Sequence, residues 1–209
     1  MSDQVTRAKE AGAVRLKAMM SAVALTFMLV WGGTGPVWAL GDEIFPGQNM
    51  RLPDNSLVEA ARTGNIAGIR NALMRGIPVD DGGVEYVPAI IVAAANNQAD
   101  AVRFLLEQGA NPNRKARDGR TALSAAAQSG NAMITAILLD AKANPDLIAD
   151  NGDSPLFIAV RGRRAAIVQQ LLAHNVDLTD TDITGRTALD EAEERNFDEI
   201  AQMLRDAGA

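Results

Sequence analysis

Few side chains in this sequence are suited to catalysis or metal binding. There is one histidine, His174, and no cysteine among 209 residues. The absence of cysteine excludes a thiol nucleophile, a thiolate metal site and a disulfide framework. A single histidine excludes any site that needs two, such as a paired-histidine zinc centre. His174 falls near the end of an amphipathic segment, where an exposed helix-end residue complementing the helix dipole is expected. No serine has a histidine base in a local motif, and capping or exposure accounts for Ser124, Ser129 and Ser154. Asp177, Asp180 and Asp182 alternate in a loop and loosely suggest calcium. They lack a twelve-residue loop closed by glutamate, so they are read as an acidic tip. Gly32-Gly33-Thr34-Gly35 is no phosphate loop, because breaking an apolar run explains it. Arg161, Arg163 and Arg164 could hold an anion, and a solvated turn is the plainer reading. The expectation is a noncatalytic chain with no cofactor and no metal.

Composition and periodicity define the framework that carries the remaining candidates. Apolar residues make up 47%, charged residues 22% and aromatic residues only 4%. That is a globular composition, with enough length for one or two domains and a sizeable core. The net charge of −6 disfavours nucleic acid as a partner. The charge is uneven. Residues 1–39 carry four Lys/Arg against two Asp/Glu, and residues 40–209 carry sixteen against twenty-four.

The first segment has the parts of an export signal. Arg15 and Lys17 precede a largely apolar run from Met19 to Trp31. Gly32, Gly33, Gly35 and Pro36 break that run, and Val37-Trp38-Ala39 offers small residues before a junction. Residues 1–39 are therefore expected to be a signal peptide cleaved after Ala39. The apolar core is shorter than the roughly 20 residues a spanning helix requires. The alternative is an uncleaved anchor, which would place the chain on the inner membrane facing the periplasm. The basic residues precede the apolar run, so the rest of the chain is expected outside the cytoplasm. A start at Val14 would give a more compact leader. Residues 40–53, with Ile44, Phe45, Pro46 and Pro53, read as an extended lead-in linker.

From Asp54 the chain repeats. Leu57, Ile90, Leu123, Leu156 and Leu189 recur at a constant interval of thirty-three positions, with no insertion. Ala60, Ala93, Ala126, Ala159 and Ala192 keep the same register, as do Leu73, Leu106, Leu139 and Leu172. Five units in register indicate a stacked repeat protein. The third unit is clearest. Asp118-Gly119 signals a turn, Thr121 is a natural N-cap, and Ala125-Ala126-Ala127 makes a thin helix that allows close approach. Gly130-Asn131 breaks it, and Met133, Ile134, Ile137 and Leu138 then line a second helix. Pro145 ends the unit in an extended loop.

At these residues the chain resembles the ankyrin-repeat family. The carriers are Asp118-Gly119-x-Thr121-Ala122-Leu123, Asn151-Gly152-x-Ser154-Pro155-Leu156, Gly185-x-Thr187-Ala188-Leu189 and Leu105-Leu106-x-x-Gly109-Ala110-Asn111-x-Asn113. The resemblance covers about three quarters of the chain. It implies an all-α fold: an ankyrin-repeat solenoid of five stacked helix-turn-helix units with hairpin-like finger loops, near 54–82, 83–115, 116–148, 149–181 and 182–209. The sequence departs from the pattern in places. The family's histidine slot holds Val58, Ile91, Ser124, Phe157 and Asp190, and the apolar occupants are expected to pack there. The glycine closing helix two is Gly76, Gly109 and Gly208 but Lys142 and Asn175 elsewhere, in a slot that favours a left-handed backbone. Lysine there should cost roughly 1–2 kcal/mol. The finger from Asp80 to Tyr86 lacks the usual turn residues and is expected to be irregular. The charged residues of repeat 5, including Glu191, read as the polar face of a C-terminal cap.

The resemblance also implies docking of another protein on the finger tips and the exposed side of the first helices. In register, the candidate partner-binding residues are Tyr86, Asn96, Arg117, Asp118, Arg120, Gln128, Ser129, Asp150, Asn151, Asp153, Arg161 and Arg186. Arg114, Lys115, Arg117 and Arg120 make one basic finger beside acidic ones, which could orient a charged partner. Tyr86 is the only tyrosine, a residue type enriched at hot spots, and stands where the finger usually has glycine. The expected function is noncatalytic protein binding by a monomer in the periplasm or beyond, without nucleic acid, and with a membrane only if the leader stays attached. A tethered scaffold, a secreted effector that binds a host protein, and a small-ligand protein or enzyme are the alternatives.

Overall fold

A computed structural model describes residues 54–209 of the chain. The expected signal peptide over 1–39 and the lead-in over 40–53 lie outside the described residues. Among the described residues there are ten α-helices and no strands. They form five pairs: α1 (Ser56–Thr63) with α2 (Ile66–Met74), α3 (Ala89–Ala95) with α4 (Ala99–Glu107), α5 (Ala122–Ser129) with α6 (Ala132–Asp140), α7 (Pro155–Arg161) with α8 (Ala165–Leu172), and α9 (Ala188–Glu194) with α10 (Asp198–Asp206). The first helices pack side by side in one layer, and the second helices form the other.

The repeat register explains the packing. Leu57, Ile90, Leu123 and Leu156 are buried between the layers, with Ala60, Ala93, Ala126, Ala159 and Ala192 beside them. Small alanine side chains let neighbouring first helices approach closely. Leu189 is only half-buried, because no repeat packs on its far side among the described residues. On the second helices the fully buried stripe is Leu105, Leu138, Leu171 and Leu204, one residue before the positions read from the sequence. Leu73, Leu106 and Leu172 are half-buried, and Leu139 is buried. Met133 faces solvent at 61% exposure and does not line the second helix as expected. The stripe runs through Ile134 and Leu138, which leaves position 133 outside it.

Helix ends are set locally. Thr121 and Ser124 form a reciprocal capping box on α5, and Thr187 with Asp190 does the same on α9. Ser154 caps α7, with Pro155 in the first turn. The histidine slot packs as expected where it is apolar, with Val58, Ile91 and Phe157 buried. Each turn between paired helices has one left-handed residue: Gly64, Asn97, Gly130, Arg163 and Asn196. The slot closing helix two is left-handed throughout, including Lys142 at φ 66° and Asn175 at φ 54°.

A series of bonds ties successive repeats together through the loops that follow the second helices. Asp80 accepts from the Asn111 backbone N–H, Asn113 from Asn144, and Asp146 from Asp177. These rungs occupy one equivalent slot per repeat and link repeats 1 to 2, 2 to 3 and 3 to 4.

Candidate functional site

The finger loops stand in a row. Three of them share one tight turn, closed by backbone bonds from Ala116 to Arg120, Ala149 to Asp153 and Asp182 to Arg186. Glycine with positive φ supplies each corner, at Gly119, Gly152 and Gly185. The finger of repeat 2 differs, as expected. It folds as a 3-10 turn over Gly83–Glu85, and Tyr86 takes the left-handed corner at φ 56°. The fingers are braced against each other. Asn55 accepts from the Val84 N–H at 2.8 Å, and the Asp150 N–H donates to the Asp118 carbonyl at 3.2 Å.

The tips therefore present fixed side chains. Tyr86 is 68% exposed, and Val84 beside it is also exposed. Arg117 and Asp150 are exposed, and their side chains make no polar contact among the described residues. Asp118 accepts from Arg120 Nε at 2.6 Å. Partial burial works to raise the Asp118 pKa, but the Arg120 side chain, its backbone N–H and its charge outweigh that and hold the carboxyl below its usual range. Asn151 donates to Asp153 at 2.8 Å. On the first helices Gln128 is exposed, while Asn96 donates back to the Val92 carbonyl at 2.8 Å. Ser129 is half-buried and bonds to the Ala126 carbonyl at 3.1 Å, within reach of Ala94 in the previous repeat.

Arg161 and Arg186 have a different environment from the one expected. Both belong to an ionic cluster between repeats 4 and 5. Arg161 contacts Asp153, reaches Asp182 at 3.0 Å and reaches Glu191 at 3.1 Å. Arg186 contacts Asp182 at 3.1 Å, Glu191 at 3.0 Å and also Glu194. Arg195 adds a third cation to Glu191 at 2.7 Å. Glu191 is fully buried, so it is the centre of this cluster and not part of a polar outer face. A buried carboxylate needs such partners. Asp182 is also buried and not an exposed acidic tip. The Thr184 hydroxyl, the backbone N–H groups of Arg186 and Thr184, and the Arg186 guanidinium outweigh desolvation there. They hold the Asp182 carboxyl well below the usual carboxylate range. Burial works against the Arg161 charge, but Asp153 and Glu191 outweigh it and raise its pKa.

The three arginines of repeat 4 do not converge. Arg163 lies over the Phe197 ring at 5.5 Å, and Arg164 is exposed at the start of α8. His174 is exposed, with Nδ1 3.0 Å from the Gln170 carbonyl. Asp180 is half-buried, and burial followed by Asp177 and Asp146 raises its pKa. Among the described residues no group of three or more His, Asp or Glu could hold a metal ion. Among the same residues no helix is long and apolar enough to cross a membrane.

Helix pairs in strict register, joined by glycine-cornered fingers, coincide with a family comparison. The family model described as "Ankyrin repeats (3 copies)" matches residues 57–149 and 134–209. The chain belongs to the ankyrin-repeat family. Members of this family are protein–protein interaction modules and generally not catalysts. No curated protein matches the chain.

Two exposed tip residues escaped the sequence reading, Val84 and Ile183, the latter 84% exposed. The available signal was their register: positions 84, 117, 150 and 183 are equivalent tip sites.

Proposed function

We propose that this ankyrin-repeat protein is a noncatalytic binding module that acts outside the cytoplasm and takes a partner protein on its concave face and finger tips. The observation that carries the binding mode is the set of unengaged side chains. Tyr86, Arg117, Gln128 and Asp150 are exposed and make no polar side-chain contact among the described residues. They sit on turns and helices whose backbones are already bonded. Preorganised contacts of this kind lose little conformational entropy on binding. Tyr86 is the aromatic anchor, and the Arg117 finger orients the partner. The binding-competent species is the monomer.

The export reading rests on the basic residues, the apolar run from Met19 to Trp31 and the small residues ending at Ala39. The mature chain then begins at Leu40 in the periplasm or beyond. N-terminal sequencing after cell fractionation tests this. A membrane-bound chain with an intact leader would replace it with the tethered form.

Crosslinking in a periplasmic extract, followed by identification of the captured protein, tests the binding mode. Changing Arg117 and Arg120 together to glutamate weakens capture, and so does Gln128→Arg on the concave face. Each variant keeps its helical signal. Capture at the parental level by both variants would overturn the proposed surface.

A further inference from the structure

The four equivalent tip positions read Val84, Arg117, Asp150 and Ile183: apolar, basic, acidic, apolar. Set against its own reverse, that order pairs apolar with apolar and basic with acidic. We propose that two copies of this chain pair through their finger rows, antiparallel about a two-fold axis between the Arg117 finger and the Asp150 finger. Each Arg117 then faces the Asp150 of the second copy, and each Val84 faces its Ile183. A two-fold interface uses the same patch on both subunits, so every favourable contact occurs twice.

The neighbouring positions obey the same order. Arg120 and Asp153 are equivalent across the axis and carry opposite charges. Asp118 meets Asn151, a carboxylate against an amide that can donate. Tyr86 meets Gly185, where a Cβ would touch nothing within 4 Å. The exposed ring thus meets a turn with open space at Gly185, two residues from Ile183. Both central charges are available, since neither Arg117 nor Asp150 has a side-chain partner among the described residues. The bond from Asp150 N–H to the Asp118 carbonyl fixes the spacing of the two central fingers. Away from the tips the match stops, because Asp81 and Asp180 would be opposed. The contact is therefore confined to the tips. It buries less than the roughly 1,200 Å² of a stable interface, so the dimer is weak and concentration-dependent. It also covers Tyr86 and Arg117, and self-pairing withholds those two residues from any other partner.

Charge reversal gives a decisive test on the full chain. Sedimentation over a concentration series shows reversible dimerisation of the parent. Arg117→Asp and Asp150→Arg each weaken it by about tenfold or more, because each places like charges opposite twice. An equimolar mixture of the two variants recovers association near the parental level, with the mixed dimer identified by mass. In the mixed dimer every central contact is again between opposite charges. All chains share residues 1–53, so association through that segment is common to all and does not produce this pattern. Ile183→Ser, at an exposed position, weakens the parent dimer without lowering its melting temperature. A parent chain that stays monomeric at about millimolar concentration, well above the Kd expected of weak contacts, overturns the proposal. So does a mixture that associates no better than either variant alone.

Discussion

Lys142→Gly should make this protein more stable. Lys142 follows α6 and holds φ at 66°, a conformation in which a Cβ crowds the following carbonyl. The position is set by bonds on either side: the Lys142 N–H donates to Leu139 at 3.0 Å, and Ala143 donates to Leu138 at 2.9 Å. The backbone cannot relax out of the left-handed region without losing both. Relief of that strain is worth roughly 1–2 kcal/mol. Glycine also loses more chain entropy on folding, which takes back about 0.5–1 kcal/mol. The difference lies between about 0 and 1.5 kcal/mol, and its middle value of about 0.75 kcal/mol raises the melting temperature by about 1.5–3 °C in a domain of this size. The Lys142 side chain makes no ion pair among the described residues, so no lost contact offsets the gain. Gly109→Ala is the reciprocal control. It occupies the same slot at φ 87°, and its new Cβ would meet nothing within 4 Å, so any loss is conformational alone. Thermal unfolding by circular dichroism reads both variants. A lowered melting temperature for Lys142→Gly, or an unchanged one for Gly109→Ala, would contradict this account of the strain.

Three other outcomes follow from the packing and the ionic cluster. Leu123→Ala removes a side chain 1% exposed and costs about 2–5 kcal/mol in urea unfolding, so a loss under about 0.5 kcal/mol contradicts the register. Arg161→Met leaves Asp182 and Glu191 short of one cation, and destabilises repeat 5 ahead of repeats 1 to 3 in hydrogen exchange; uniform protection would argue against a local role. The depressed Asp182 pKa stabilises the fold above the unfolded value near 3.9, and that contribution is lost as pH falls below about 4 through the folded value. Asp182→Asn should therefore flatten the acid limb of stability, and unchanged acid sensitivity would exclude this group as a source.

Most of the fold was legible because its signals are local and repeated. The left-handed slot that closes helix two recurs in every repeat, so Lys142 and Asn175 could be assigned their backbone from Gly76 and Gly109. Tyr86 could be placed at a finger corner by the same comparison. The exposure of Met133 was less legible, since positions 133, 134, 137 and 138 all fit a helical stripe until the neighbouring repeats select one face. Glu191 could not be read at all from its own segment. A glutamate in the first turn of a terminal repeat looks solvent-facing, and its cations Arg161, Arg186 and Arg195 converge only when repeat 5 stacks on repeat 4. At the candidate surface, register placed the twelve residues on the finger side of the solenoid. It could not separate Arg117 and Asp150, which stay unengaged, from Arg161 and Arg186, which are consumed by ion pairs.

The joints between repeats carry different kinds of bond. Asp80, Asn113 and Asp146 each clamp the next repeat through a backbone N–H. Arg161 adds ion pairs across the joint between repeats 4 and 5. Pulled end to end, the solenoid therefore behaves as a spring with one dissimilar coil. Asp182 and Glu191 are buried, so added salt screens that coil little, and its stiffness is set by the cations that reach it.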